Sequence, residues 1–305
     1  MYDYLQMTSN YFTYKAFGLI IRCEFEIPEF IIDNGNPDVL IELGAVPINL
    51  NKITKKGVKF QATHNEFLLT VDDVARFYVK DGSKIVVELL KNKPDKEVRL
   101  FLLGSAFGAL FLQRGLLPIH GSAVKFGNSA SIFTGLSGVG KSSIATYFVI
   151  KGHSFLNDDI SVIDNTLMVI PGFPNLKIWK DIIEKLKIQN HKLEEIRTTI
   201  KKYHFPVKEC FHKNPLPLKN IFIIGTKNSP GYEFEELKGL AKFNAVKNNT
   251  YRYRFVGGLE KMQEHFQILN SLLPNISVYK IVRPQSPVDL EGFAYFLTNT
   301  FKLNE

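Results

Sequence analysis

The chain has 305 residues, a net charge of +8 and 45% hydrophobic residues. This length suffices for one large domain and a smaller one, and the apolar content excludes a disordered chain. The longest apolar run, residues 100–112, is too short to span a bilayer. The start, Met1-Tyr-Asp-Tyr-Leu5, lacks the basic and apolar regions of a secretion signal. The two cysteines have no metal or redox spacing and suggest a reducing compartment. Together these features predict a cytoplasmic protein without a membrane partner.

The N-terminal third has the alternation of apolar and polar residues that is typical of β-strands. Residues 17–25 and 39–43 follow this pattern. Further strands, with glycine-containing turns between them, are predicted at 67–71, 75–79 and 84–89. We predict a small, mainly-β domain over residues 1–95, with residues 91–96 as the linker. Substrate docking and a structural cover for the rest of the protein are both open as its use.

The remainder of the chain, residues 97–305, has the pattern of a nucleotide-binding α/β domain. The apolar run at 100–112 predicts a helix buried against a sheet. A second helix is predicted over 181–202. Residues 215–225 predict a return strand with a buried centre at 221–224.

A complete phosphate-binding loop, Gly-Leu-Ser-Gly-Val-Gly-Lys-Ser, occupies residues 135–142. Residues 130–134 predict a strand before it and residues 143–150 a helix after it, which is the order that this motif requires. Its glycines allow positive φ angles, and the N–H groups and the helix N-terminus then face a phosphate. Lys141 would reach the β- and γ-phosphates, and the Ser142 hydroxyl would ligate Mg²⁺. The predicted nucleotide-binding residues are Gly135, Ser137, Gly138, Val139, Gly140, Lys141, Ser142 and Ser143.

Two adjacent carboxylates, Asp158 and Asp159, follow an apolar segment downstream of the phosphate loop. We call them the acidic pair. A phosphoryl-transfer site needs a carboxylate near the phosphates to hold the metal, and a hydroxyl acceptor needs a second one to take its proton. Successive residues of a regular strand point to opposite faces, so both could face one phosphate only from a turn at the strand end. The alternative is a polar turn between two strands.

Three further residues are candidates for the site. A hairpin with its turn at Gly127-Asn128 is predicted to return His120 to the start of the phosphate loop. A lone histidine is structural as often as catalytic, and both alternatives stay open. Lys177 and Arg252 could stabilise transferred charge on a phosphate or substrate, or they could form structural ion pairs.

The positive charge is concentrated between Lys177 and Lys219, where eleven lysines and arginines stand against five acidic residues. One interpretation is a solvated helical face. The other is a surface that steers ATP or an acidic acceptor toward the site. We expect no nucleic-acid partner, because the sequence has no recognised binding module and the lysines lack regular aromatic interleaving.

Together, His120-Gly-Ser-Ala, the phosphate loop, and Gly152-His153 with the acidic pair resemble the catalytic domain of bacterial HPr kinase/phosphorylase. That family belongs to a phosphate-loop kinase group related to phosphoenolpyruvate carboxykinase. A closer resemblance is to the HPr-kinase-like serine kinases encoded beside lasso-peptide precursors, and it extends over nearly the whole chain. The blocks that carry it are residues 14–19, 27–29, 101–109, 113–115, 171–174, 176–179 and 249–252.

The resemblance implies an α/β fold of the HPr kinase/phosphoenolpyruvate carboxykinase type. It also implies an ATP- and Mg²⁺-dependent serine kinase acting on a peptide or protein, with the C-terminal serine of a lasso-type precursor peptide as acceptor. Asp158 would be the metal ligand and Asp159 the base, with His120 and Lys141 in the same site.

One departure from HPr kinase/phosphorylase concerns residues 171–179. That family has a segment there with glutamate and arginine, whereas this chain has no carboxylate. The departure argues against the reverse, phosphorolytic reaction and against HPr as the substrate. An HPr-type kinase/phosphorylase, a small-molecule hydroxyl kinase and a nucleotide-gated regulatory protein stay open as alternatives. The oligomeric state is open too, a homo-oligomer included.

Overall fold

The computed structural model describes residues 11–90, 93–188, 193–197 and 200–303. Nine strands form an N-terminal sheet in the order β3-β1-β2-β4-β9-β8-β7-β6-β5. They are β1 (Phe12–Ala16), β2 (Leu19–Cys23), β3 (Ile31–Ile32), β4 (Val39–Leu43), β5 (Lys55–Lys56), β6 (Phe60–Ala62), β7 (Glu66–Val71), β8 (Ala75–Lys80) and β9 (Lys84–Leu89). Along β8, buried and half-buried residues alternate, as the period of two in its sequence predicts.

The predicted strands of the N-terminal third are confirmed, from the pairing of β1 with β2 to that of β8 with β9. Residues 1–5, on which the expectation about a secretion signal rests, lie outside the described residues. So do the first two residues of the predicted linker at 91–96. Its last residue, Lys96, already begins a helix whose N-terminus is capped by the Asp95 carboxylate.

A helical segment, residues 96–113, follows the N-terminal sheet. It consists of α1 (Lys96–Phe101), a π-helical stretch (Leu102–Ala106) and α2 (Phe107–Gln113). Every residue from 102 to 112 is buried, so the predicted buried helix is confirmed. Its apolar side chains belong to the same core as those of the N-terminal sheet. The sheet therefore packs directly on the rest of the chain, and the division into residues 1–95 and 97–305 stays a prediction.

The second sheet carries the phosphate loop. Its strands are β10 (Leu117–Ile119), β11 (Gly121–Phe126), β12 (Ser129–Gly135), β13 (Phe155–Asn157), β14 (Ser161–Ile163), β15 (Met168–Ile170), β19 (Leu216–Lys227), β20 (Glu233–Glu236) and β21 (Ser277–Pro284). The central strands β12, β19 and β21 are parallel neighbours. On the other side of β12, β11 pairs antiparallel, and β13 pairs antiparallel with β11.

Helices cover both faces of these central strands. The helices after α2 are α3 (Lys141–Ile150), α4 (Lys180–Lys185), α5 (Gly239–Asn248), α6 (Arg254–Gly258), α7 (Met262–Leu272) and α8 (Leu290–Phe301), with 3₁₀ turns at Lys208–Cys210 and Leu273–Asn275. Phe133 and Phe222 pack in the cluster that contains residues of α3 and α8. Their neighbours Ile132 and Ile221 pack in the cluster that contains residues of α7. A parallel strand buried on both faces explains why the centre of β19, residues 221–224, is an unbroken apolar run.

A small third sheet lies beside the phosphate-loop helix α3, in the order β16-β18-β17. Its strands are β16 (Asn175–Trp179), β17 (Glu195–Arg197) and β18 (Ile200–Pro206). The helix predicted over 181–202 is therefore wrong at the described residues beyond Lys185, where α4 ends; residues 189–192, 198 and 199 lie outside the described part of the chain. Residues 202–206 of β18 pair with β16, and β18 also pairs with β17 at Ile200 and Tyr203. Ile200, Tyr203 and Phe205 are β-favouring residues. This tertiary pairing outweighs the helical periodicity of the preceding residues.

Candidate active site

The phosphate loop lies where β12 ends and α3 begins, so the predicted strand–loop–helix order is confirmed. Gly135, Gly138 and Gly140 have φ angles of +135°, +86° and +102°, a region that glycine adopts without steric cost. A Cβ atom on Gly135 would lie 2.4 Å from the backbone oxygen of Ile224. The close contact between β12 and β19 therefore requires glycine at the first position of the loop.

The side chains of the loop divide into an exposed tip and a buried base. Ser137 is exposed at the tip, whereas Val139 and Ser143 are buried. The Lys141 ammonium lies across the loop and donates to the backbone oxygens of Gly135 and Leu136, each at 3.0 Å. Burial lowers the pKa of Lys141, although the acidic pair opposes that shift.

Arg283, on β21, contacts the backbone of the phosphate loop. The sequence did not indicate this residue. Its Nε and Nη2 atoms donate to the backbone oxygen of Val139 at 3.2 and 2.9 Å. The side chain is buried, with 8% of the residue exposed. A charged group buried in this way is stabilised by such hydrogen bonds, and here they fix the position of the loop. Because 144 residues separate the partners, no local sequence pattern could have indicated the contact.

The acidic pair occupies a turn directly after β13. Asp159 has a φ angle of +70°, and the backbone N–H of Ile160 donates to the backbone oxygen of Asp158. This departure from an extended backbone allows the two adjacent side chains to face the same site. The sequence required such a turn if both carboxylates were to act on one phosphate, and the turn is present.

Asp158 is the hydrogen-bond acceptor at the centre of the site. Its Oδ1 atom accepts from the hydroxyls of Ser122 at 2.6 Å and Ser142 at 2.8 Å. Its Oδ2 atom accepts from the backbone N–H of Lys177 at 2.8 Å. Three donors from three different elements therefore hold one buried carboxylate against the first turn of α3. Ser122 is fully buried; the sequence reasoning included it in the His-Gly-Ser motif but predicted no role for it.

Asp159 forms an ion pair at the edge of the site. The Nζ atom of Lys177 lies 2.8 Å from its Oδ2 atom, and the Nδ1 atom of His120 lies 3.5 Å from its Oδ1 atom. Burial raises the pKa of Asp159, but the positive charge and the hydrogen bond of Lys177 outweigh burial, so the pKa lies well below its usual value. Burial lowers the pKa of Lys177, but the negative charge of Asp159 outweighs the effect of burial, and the pKa of Lys177 is raised.

His120 stands between β10 and β11, next to the end of the phosphate-loop strand. The hairpin of β11 and β12 pairs Gly121 with Thr134, so the predicted return of His120 to the start of the loop is confirmed. Its Nδ1 atom lies 3.0 Å from the backbone oxygen of Asp159. A carbonyl oxygen only accepts, so this nitrogen carries the proton and Nε2 is the acceptor of the neutral ring. Burial lowers the pKa of His120 despite Asp159, which favours the neutral form.

A cavity of about 530 Å³ opens over these groups. We call it the site cavity. Its lining includes Gly135, Ser137, His120, Asp159, Asn249, Tyr251 and Arg252. Tyr251 is buried, and its ring centroid lies 5.6 Å from that of His120. Arg252 is exposed on the outer wall of the cavity, with its guanidinium over the Tyr251 ring at 5.6 Å.

The structure therefore brings six of the predicted residues together and places the seventh at the rim. Ser142, Asp158, Lys177, Asp159 and His120 are joined through the short contacts described above. Lys141, next to Ser142 in the chain, contacts the backbone of the phosphate loop. Arg252 lies on the cavity wall and stacks on Tyr251 instead of contacting these groups. Tyr251 and Asn249 belong to residues 249–252, one of the blocks that carry the family resemblance, but the sequence alone indicated no chemical role for either.

The donor set beside the phosphate loop suits Mg²⁺ bound together with phosphate. No group of three or more histidine, cysteine, aspartate or glutamate side chains among the described residues could enclose a metal ion. The loop instead offers one carboxylate, on Asp158, and one hydroxyl, on Ser142, at 2.8 Å from each other. Mg²⁺ prefers oxygen ligands and is typically held by one or two carboxylates together with substrate phosphates and water. These residues therefore fit Mg²⁺ in its nucleotide complex.

Comparison with known proteins gives matches among solved structures. No family model and no curated protein matches the chain. The structure of the HPr(Ser) kinase/phosphatase from Coxiella burnetii is similar over 61% of this chain and 90% of that one, with 12% sequence identity and a TM-score of 0.31. A similarity of this extent assigns neither a family nor an activity. Within the described part of the chain, no helix has both the length and the apolar character needed to cross a bilayer.

Proposed function

We propose that the protein is an ATP- and Mg²⁺-dependent kinase that phosphorylates a serine hydroxyl of a peptide or protein. The observation that carries this proposal is the arrangement around the acidic pair. Asp158 contacts the hydroxyl of the phosphate-loop residue Ser142, while Asp159 lines the adjoining cavity. A nucleotide switch requires the first carboxylate for its metal but has no use for a second one aimed at an acceptor.

Ser142 and Asp158 would hold Mg²⁺ together with the nucleotide phosphates. Bound there, the ion would neutralise part of the charge on the phosphates. Lys141 supplies a second positive charge at the same place, and the N-terminus of α3 adds partial charges from its backbone N–H groups. Arg283 contributes indirectly, because it fixes the backbone of the loop through Val139.

Asp159 would accept the proton of the serine hydroxyl. As it stands, the ion pair with Lys177 keeps its carboxylate weakly basic, whereas an effective general base has a pKa near the working pH. A movement of Lys177 from Asp159 toward the transferred phosphoryl group would make Asp159 a stronger base. That movement raises the pKa of Asp159 as it places a positive charge where negative charge develops. His120 lies within 3.5 Å of the same carboxylate and would help to orient it.

Within this class of kinase, the resemblance of the sequence favours the C-terminal serine of a lasso-type precursor peptide as acceptor. The features that support it are the His-Gly-Ser motif, the phosphate loop and the acidic pair in that order. The proposed working form is a cytoplasmic enzyme whose partner is this peptide. The lack of a carboxylate at 171–179 argues for transfer to the hydroxyl over the reverse reaction.

The direct test is mass spectrometry of a serine-containing precursor peptide incubated with the protein, ATP and Mg²⁺. Addition of one phosphoryl group, about 80 Da on serine, is expected. Lys141→Ala should abolish the product, because a charge at the β- and γ-phosphates contributes several kcal/mol to the transition state. Turnover of this variant close to wild type would overturn the phosphate-loop assignment. Release of ADP with neither peptides nor small hydroxyl metabolites modified would identify a nucleotide-gated regulator instead.

A further inference from the structure

A second, larger groove continues from the site cavity. Its volume is about 1330 Å³, which exceeds the range of about 300–1,000 Å³ that is typical of small-molecule pockets. The residues common to the linings of the two spaces are Phe101, Ser105, Asn248, Thr250 and Arg252. The groove and the site cavity are therefore continuous, and a chain lying in the groove would lead to Asp159.

Charge is the distinguishing property of this groove. Five cationic side chains line it, and its described lining includes no carboxylate; the cations are Lys55, Lys56, Lys59, Arg252 and Arg254. Lys59 is partly neutralised by Asp72 at 3.1 Å. The other four are exposed and have no carboxylate partner within the described part of the chain. We call this space the basic groove. A concentration of unpaired charge of one sign favours a ligand of the opposite sign.

The backbone that carries Lys55 and Lys56 is anchored by core packing. Lys55 and Lys56 form β5, which pairs with β6. The ring of Phe60 on β6 packs on Phe255 at 4.8 Å and on Phe67 at 5.5 Å between centroids. The hairpin is therefore anchored to α6 and to the N-terminal sheet. A pre-positioned set of charges binds more tightly than a mobile one, because less conformational freedom is lost on binding.

The aromatic residues of the groove favour a peptide over a single-stranded nucleic acid. Bases bind to such proteins by stacking on free ring faces. Here the rings of Phe60 and Phe255 pack on each other, and Tyr253 packs edge-on against His265 at 5.4 Å. The apolar floor instead includes Leu69 and Val71, which are suited to contacts with peptide side chains.

We propose that the basic groove docks an acidic segment of the peptide substrate and thereby selects the serine that enters the site cavity. This inference rests on the proposed kinase function for the identity of the reacting group. Docking itself is an equilibrium property that can be measured without nucleotide. The groove would also give the N-terminal sheet its use, since Lys55, Lys56 and Lys59 belong to that sheet and its loops.

The test uses a fluorescein-labelled peptide rich in glutamate with a single serine, and its glutamine counterpart, followed by fluorescence anisotropy without nucleotide. The variant is Lys56→Glu with Arg254→Glu. Its matched control is Lys213→Glu with Lys219→Glu, which changes the net charge equally at exposed positions outside the groove. The groove variant should bind the glutamate peptide about tenfold more weakly and the control about twofold or less, as expected for local surface charges. Salt should weaken wild-type binding.

Three results would overturn the inference. Equal weakening of binding by the groove and control variants would indicate only the overall charge of the protein. Binding of the glutamine peptide as tight as that of the glutamate peptide would exclude recognition of negative charge. Displacement of the peptide by a single-stranded oligonucleotide that loses affinity in the groove variant alone would identify the groove as a nucleic-acid site. By contrast, groove-dependent binding of a peptide that is never phosphorylated would support docking and contradict the kinase function.

Discussion

The N-terminal sheet buries aromatic and aliphatic side chains, whereas the phosphate-loop end of the second sheet buries hydroxyls, a carboxylate and cations. Phe67 and Phe77 are fully buried in the first region. In the second, Ser122, Asp158 and Arg283 are buried too, and each has hydrogen-bond partners. Burial of apolar groups is favourable in itself, whereas burial of polar groups is costly unless they are partnered. The difference indicates that the first region provides stability and the second is arranged for chemistry.

This comparison makes opposite predictions for substitutions in the two regions. A change in the apolar core should lower the free energy of unfolding and leave nucleotide affinity intact in the folded protein. A change among the partnered polar groups should alter nucleotide affinity or turnover more than stability.

The largest effect on stability is expected for Phe77→Ala. The ring is fully buried in the core that the N-terminal sheet shares with the helical segment 96–113, and loss of such a ring costs about 3–5 kcal/mol. Urea unfolding would measure the loss, with Tyr295→Ala as the control because Tyr295 is 71% exposed. The Kd for MgATP, measured below the unfolding transition, should stay unchanged. A large rise in that Kd would contradict the separation between the two regions.

A smaller effect, on nucleotide affinity and not on stability, is expected for Arg283→Ala. The variant loses both hydrogen bonds to the Val139 oxygen, and the phosphate loop loses its support. The Kd for MgATP should rise about tenfold, since charge-assisted hydrogen bonds contribute about 1.5–3 kcal/mol and part of this appears as loop order. Calorimetric titration would measure it. Arg283→Lys should fall between, because lysine lacks the planar pair of donors. Unchanged affinity in both variants would show that the loop needs no such support.

The third effect concerns the pH dependence of stability. Burial, with Lys247 nearby, lowers the pKa of His265 to about 4 from 6.5. The unfolded chain therefore binds a proton between these values while the folded protein does not. The free energy of unfolding therefore falls as the pH drops from 6.5 toward 4, and above pH 6.5 His265 causes no such loss. Near pH 5 the loss should be about 2 kcal/mol. Urea unfolding of His265→Asn should show a flatter pH profile, and the exposed His64→Asn should not.

The local elements of the site could be predicted from the sequence because their determinants are adjacent in the chain. The glycines of the phosphate loop, the flanking strand and helix, and the hairpin that carries His120 depend on neighbouring residues. The turn at Asp158-Asp159 was a requirement of the strand geometry. The alternating strands of the N-terminal third were predictable for the same reason.

Long-range contacts account for what the sequence did not indicate. Arg283 reaches Val139 across the sheet, and the pairing of Lys177 with Asp159 was only one of two alternatives for that lysine. The helix predicted at 181–202 is wrong in its second half because β17 and β18 pair there as antiparallel strands. The basic groove combines cations from β5 and from the residues around α6. These residues are far apart in the chain, so counting charges along the sequence could not indicate the groove.

The central claim is that the two carboxylates of the acidic pair have different tasks, Asp158 as metal ligand and Asp159 as base. The most direct test compares Asp158→Asn with Asp159→Asn in two measurements, MgATP affinity and the Mg²⁺ dependence of peptide phosphorylation, with thermal unfolding to show that both variants are folded. Asp159→Asn should bind MgATP almost normally and turn over about 10²–10⁴ times more slowly. Asp158→Asn should also need more Mg²⁺ for its half-maximal rate. The reverse pattern would exchange the two tasks. Turnover at wild-type rates by both variants would contradict the account.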